Sequence, residues 1–184
     1  MSGIQYYHSD AGGYTTLGWY KRTPELLARW SEANAFSPIL RTHEGNRPWN
    51  NTQPWSSAET MRAFVRATKM HTALAPYLKH VSAEAQRTGL AMMRPFCLTN
   101  PDPRWRSKKD AWYLGNDLLV FPVLRPGLTH LKVDIPEGEW IHLFSGNKFR
   151  AGSSVVECPP GQTPVFHRQG SEFQSTFENI RAIR

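Results

Sequence analysis

The sequence predicts an α/β segment followed by an all-β domain. Two observations carry this. As far as Gly89, short apolar runs alternate with stretches whose apolar residues recur at helical spacing, the pattern of strand–helix–strand–helix units. From about Leu90 the helical period vanishes, and short strand-like runs follow at intervals of roughly 8 to 12 residues, as in antiparallel sandwiches.

The elements follow in order. Ile4–Tyr7 is a short apolar run that ends in His8-Ser9-Asp10 and is followed by Gly12-Gly13. Thr23 reads as an N-cap, with Pro24 at the first helical position and Glu25 in the first turn, where an acid suits the helix dipole. Leu26, Leu27, Trp30 and Ala33 continue at helical spacing, and Phe36–Leu40 is apolar again. Ser56 and Glu59 have capping-box spacing, and Met61, Phe64, Val65 and Thr68 mark one face of the helix they open. Pro76 breaks or kinks that helix, Leu78, Val81 and Ala85 carry it on, and Gly89 stops it. Trp30, Phe36, Phe64 and Tyr77 read as core. The strand runs are LAMMRPFCL, WYLGNDLLVFPVL, LTHLKVDIP, EWIHLFSG, SSVVECPP and TPVFHR, with turns at Pro136-Glu137-Gly138 and Ser145-Gly146-Asn147 and with Trp140 in sandwich packing. The tail after Gly170 is expected to be poorly ordered.

Two parallel units cannot close a sheet, because parallel strands are usually covered on both faces. The first half therefore reads as the last quarter of a (β/α)8 TIM barrel, whose active sites sit at the C-terminal ends of the strands. Both polar clusters fall there: His8-Ser9-Asp10 after one strand, and Arg41, His43, Glu44 and Arg47 after the next. The second cluster runs on into amides and two tryptophans. That mixture suits a ligand site, where polar groups fix orientation and aromatics supply flat contact area. The expected division is 1–92 barrel, 93–170 sandwich and 171–184 tail.

Composition bounds the rest. The chain has 184 residues, 40% of them hydrophobic and 20% charged, which is the balance of a globular protein rather than a disordered one. The net charge of +7 raises nucleic acid as a partner, but the basic residues are scattered, the densest run being Arg104–Lys109, and no phosphate loop or zinc-knuckle spacing accompanies them. Nucleic acid is not expected. Cys97 and Cys158, far apart, read as free thiols with no metal motif. No apolar run approaches the roughly 20 residues of a membrane span, and no leader pattern precedes the first element, so the expectation is a cytoplasmic chain.

The stretch HSDAGGYTT, followed by ELLARWSEANAFSPILRTHEGNRPWNN, resembles the end of the catalytic barrel of glycoside hydrolase family 31. MMRPFCL, YLGNDLLVFPVL, IPEGEWIHLFSGNKFRAG and PPGQTPVFHR resemble that family's proximal C-terminal β-sandwich, so the likeness covers residues 6–168. Tyr14-Thr15-Thr16 and His43-Glu44-Gly45-Asn46-Arg47-Pro48 are most similar to the sulfoquinovosidases of the family. Ala11 departs from the pattern, standing where the family usually has Ile.

The resemblance implies a retaining α-glycosidase acting on a small glycoside, with no cofactor and no metal. Such enzymes use two carboxyl groups about 5 to 5.5 Å apart. In the family both lie on earlier barrel strands, and neither motif occurs here, so no catalytic residue is assigned. The chain is expected to be a C-terminal fragment that is inactive alone and is completed by an upstream barrel segment or an oligomeric partner. The resemblance makes Tyr14, His43, Asp10, Arg41 and Glu44 the substrate-binding set. His43 would bond sugar hydroxyls, and Tyr14 would line the pocket near the sulfonate. Asp10 would orient its neighbours, and Arg41 would pair with a barrel carboxylate. The residues alone allow plainer readings: His43 in a salt network, Tyr14 as a core aromatic with a satisfied hydroxyl, and His8 as either a rim residue or a satisfied polar group. The alternative function is a non-catalytic carbohydrate-binding or structural remnant.

Overall fold

A computed structural model describes residues 4–183. Three helices come first: α1 (Pro24–Asn34), α2 (Ala58–Ala73) and α3 (Ala75–Thr88). The β-rich part has six strands: β1 (Met93–Arg94), β2 (Trp112–Leu114), β3 (Leu118–Val120), β4 (His130–His142), β5 (Lys148–Glu157) and β6 (Val165–Arg168). A short α4 (Phe96–Thr99) follows β1, and α5 (Gln174–Arg181) closes the chain. The strands form one antiparallel sheet in the order β1-β2-β3-β6-β4-β5.

The local signals act largely as expected. Thr23 caps α1 by accepting from the Leu26 amide at 3.1 Å. Pro76 lies in the first turn of α3, so the helix restarts after Leu74 instead of running on, and Gly89 ends α3 with φ 76°. The capping box of α2 is one residue further on than read: Ser57 and Thr60 exchange bonds at 3.0 and 3.1 Å, because Pro54–Ser56 forms its own tight turn. The buried face of α2 also differs. Thr60, Ala67 and Met70 are buried, while Met61 and Val65 are exposed, because the sheet and α5 cover the opposite stripe.

Neither apolar run read as a barrel strand is a strand here. Residues 4–11 and 36–41 share one backbone bond, Ala11 N to Arg41 O at 2.9 Å, and a ladder needs a repeating series. Phe36 and Ser37 also donate their amides back to Ala33 and Asn34 as the turn that closes α1.

Both faces of the sheet are buried, and alternation sorts the residues. Leu118, Val120 and Val165 face α2, α3 and α5 and join Met70, Leu74, Tyr77 and Phe177. Leu119, Tyr113 and Phe166 face the other way, toward Phe96, Trp105 and Trp140. Pro136-Glu137-Gly138 is not a turn between two strands but a bulge inside β4, where the register with β5 shifts between Ile135 and Glu139. The outer halves of β4 and β5 thereby bring Val133, Ile135 and Val156 against the second face, giving a two-layered, sandwich-like packing from a single sheet. The expected disordered tail is instead α5, whose Phe177 and Ile180 are fully buried, with Arg181 Nε donating to Leu143 O at 2.8 Å. Tail order follows burial, and Gly170 marks only a turn.

Cys97 and Cys158 are free thiols. Among the described residues no helix is long and apolar enough to cross a membrane. The basic run is a short turn over buried Trp105, and its Lys108 pairs with Asp110 and Asp134 at 3.2 and 3.4 Å.

Candidate site at the ends of two loops

Five residues were read from the sequence, and the fold brings all five into two adjacent loops. One loop runs from Asp10 to Arg22 and the other from Arg41 to Gln53. The first turns at once, with the Gly13 amide donating to Asp10 O at 2.8 Å. Tyr14 O then accepts from the Gly45 amide at 2.6 Å, and Thr16 and Asn46 exchange two bonds of 3.0 Å. These bonds set Tyr14 beside His43, with ring centroids 6.0 Å apart and planes inclined at 47°. Both rings are exposed, so a phenol and an imidazole stand side by side at the surface.

Asp10 and Arg41 are paired, Arg41 Nε to Asp10 Oδ1 at 2.6 Å. The Arg41 hydrogen bond holds the Asp10 carboxyl below its ordinary range, and Asp10 in turn raises the Arg41 guanidinium. Asp10 is thus a fixed anion beside His43. The preceding Ser9 is also held: Trp30 Nε1 donates to Ser9 Oγ at 2.7 Å, and Asn34 Nδ2 donates to Ser9 O. Ala11 is fully buried between the loops.

Glu44, grouped with the ligand residues in the sequence reading, is committed elsewhere. Its oxygens accept from Arg22 at 3.0 Å, Asn51 at 3.0 and 3.2 Å and the Arg47 amide at 3.1 Å, so few lone pairs remain for a ligand. Burial works to raise its pKa, but these donors outweigh it and hold the carboxyl low. Among the described residues the buried Nδ1 of His8 has no hydrogen-bond partner. The residue lines a cavity of about 390 Å³ with Trp30, Trp112 and Leu124.

The sequence reading missed Arg22, the hub of both loops. It is 5% exposed, and its guanidinium donates to Thr52 O, Gly13 O, His43 O, Glu44 and Gln53. In Lys-Arg-Thr-Pro, one step before a helix cap, it reads as a surface cation. A faint signal lay in Gly12, where a Cβ would overlap the Arg22 side chain and where φ is 83°. Among the described residues no three His, Cys, Asp or Glu side chains group as a metal centre.

Helices and loops thus present a phenol, an imidazole and a fixed carboxylate close together, backed by a two-layered β-domain. Residues 1–81 match the glycosyl hydrolases family 31 TIM-barrel domain, and residues 89–171 match the glycosyl hydrolase family 31 C-terminal domain. The chain belongs to glycoside hydrolase family 31. It is 44% identical to a sulfoquinovosidase of Agrobacterium fabrum, covering 100% of this chain and 28% of that protein. It is 43% identical to a sulfoquinovosidase of Escherichia coli, covering 100% and 27%. Among solved structures, a family 31 sulfoquinovosidase from E. rectale in complex with an aza-sugar inhibitor superposes with a TM-score of 0.93 at 38% identity, over 97% of this chain and 27% of that one. An α-xylosidase of the same family from a soil metagenome, complexed with xylose, superposes with a TM-score of 0.79 at 27% identity, over 95% and 29%. The chain therefore spans a little over a quarter of the length of these relatives.

Proposed function

We propose that this chain supplies the C-terminal part of a retaining α-glycosidase of sulfoquinovosidase type, with Tyr14, His43, Asp10 and Arg41 as one wall of its sugar pocket. The reading is supported chiefly by the Tyr14–His43 pair, two exposed hydrogen-bonding rings 6.0 Å apart on loops joined by the Gly45–Tyr14 and Thr16–Asn46 bonds, in a chain 44% identical to a sulfoquinovosidase. We place the boundary between its barrel part and its β-domain at residues 92–93, where β1 begins, and assign residues 171–183 to the β-domain because α5 fills its core.

In this reading His43 donates to or accepts from ring hydroxyls of the sugar. Asp10, kept ionised by Arg41, orients the neighbouring polar groups. Tyr14 offers its hydroxyl to the sulfonate. Glu44 stiffens the loop from behind. The nucleophile and the acid/base carboxyl come from barrel strands outside this chain, on the family's two-carboxylate scheme.

The test joins this chain to the preceding barrel of a sulfoquinovosidase relative and measures kcat/KM. Loss of a buried hydrogen-bond partner costs about 1 to 3 kcal/mol. His43→Ala should therefore lower kcat/KM for an α-sulfoquinovoside about 10- to 100-fold. If kcat/KM does not move, His43 is no ligand.

Tyr14→Phe separates the sugars. It keeps the ring and removes the hydroxyl, so it should cost sulfoquinovosides more than plain α-glucosides, because a site built to bond a group discriminates by leaving that group unpaired. The ratio of the two kcat/KM values is the readout. An unchanged ratio would remove Tyr14 from the sulfonate side and favour an ordinary α-glucosidase.

A further inference from the structure

We propose that Arg22 is the positioning residue that sets the separation of Tyr14 and His43, acting as a buried strut between their loops; this rests on the reading that those two rings face the sugar.

The geometry is specific. A single nitrogen, Nη1, donates to Gly13 O at 3.0 Å and to His43 O at 3.2 Å. Gly13 immediately precedes Tyr14, so one donor group ties the backbone beside one ring to the backbone of the other. Nη2 reaches Glu44 and Gln53 at 3.0 and 2.9 Å, and Nε reaches Thr52 O at 2.7 Å. The Arg22 amide is itself held by Asn51 Oδ1 at 2.9 Å. Every side-chain donor direction points at the two loops.

The surroundings are shaped to fit it. A side chain at Gly12 would collide with Arg22, and a Cβ at Gly45 would come within 2.8 Å of Tyr14 O, so both loops are pared back where they meet the strut. Burial lowers the Arg22 pKa while Glu44 opposes that, leaving a desolvated cation compensated by one anion and by oriented carbonyls. A planar fork can bridge this many acceptors at once, whereas the compact ammonium of lysine cannot. Arg22 does not reach the open side of the rings. It acts through them, and a ligand-facing pair misplaced by about 1 Å can lose as much as 100-fold in rate.

The test uses the chain itself and needs no sugar. In the unaltered protein, NMR should give nuclear Overhauser contacts between the Tyr14 and His43 rings. Arg22→Met and Arg22→Lys should abolish them while the core signals of Trp140 and Phe177 stay in place. Arg22→Ala should lose them too and regain them on adding millimolar ethylguanidinium. Ring contacts that persist in a folded Arg22→Met or Arg22→Lys variant overturn the proposal. So does loss of the Trp140 and Phe177 signals in all the variants together, because Arg22 would then hold the fold rather than the pair. Failure of the sugar reading would show separately, in the kinetic ratios, with these ring contacts intact.

Discussion

Replacing Arg29 by alanine is expected to destabilise the protein by about 3 to 5 kcal/mol, the range for breaking a buried ion pair from one side. Arg29 projects from α1 into the β-domain and is only 6% exposed. It donates to Glu32 at 3.3 Å and to the carbonyls of Leu128, Cys158 and Pro159 at 2.9, 2.9 and 3.1 Å. Glu32, equally buried, accepts in turn from the Gly161 amide. The truncation strands a buried carboxylate and three carbonyls at once, and burial already pushes the Glu32 pKa up. Against a typical stability of about 5 to 15 kcal/mol the loss is large. Urea unfolding followed by tryptophan fluorescence measures it. Glu32→Gln removes the stranded charge, so the double variant should be more stable than the sum of the two single losses implies. Simple additivity would mean that the pair is not coupled.

Acid should also weaken the fold well before ordinary carboxylates titrate. His142, at the end of β4, is buried against Phe149 and Phe166, and among the described residues its Nε2 has no partner. Burial, helped by nearby Arg181, lowers its pKa to about 4. His167 is fully buried and is lowered for the same first reason. The sign follows from proton counting. Between pH 6.5 and about 4 the unfolded chain binds a proton at His142 that the folded chain refuses, so stability is full above the unfolded value and is lost as pH falls through this window. At about 1.4 kcal/mol per pH unit the loss from His142 is on the order of 3 kcal/mol. Glu32, whose pKa is raised, works in the opposite sense and recovers part of it. Urea midpoints measured at pH 7, 5.5 and 4.5 should fall steadily, and His142→Leu should flatten the series. An equally steep series in that variant would place the acid sensitivity elsewhere.

Much of the candidate site was legible as a cluster because its parts lie close along the chain. Asp10 and Tyr14 stand four residues apart around a Gly-Gly turn, and Arg41 and His43 are two apart after an apolar run. The partners of Glu44 were not legible, because nothing local distinguishes a carboxylate open to a ligand from one that meets a buried guanidinium. That depends on Arg22, 22 positions away, and on Asn51 and Gln53 closing around both.

The same division runs through the fold. Thr23 with Pro24, Pro76 and Gly89 placed helix boundaries from the chain alone, since each acts on backbone groups within one turn of itself. The strand runs at Leu118–Val120 and Val165–Arg168 were equally local, as short apolar stretches near turn residues. Three-dimensional packing set what remained. It chose which stripe of α2 is buried, turned Pro136-Glu137-Gly138 into a bulge, made a helix of the tail, and withheld a ladder from the two apolar runs beside the site. Each of these rests on partners far away in sequence, such as Phe177 in the core of α2 and α3 or Arg29 at Cys158 O. A residue's neighbours along the chain carry no record of such contacts. Their free energy appears only once the chain has closed on itself and water has left the space between them.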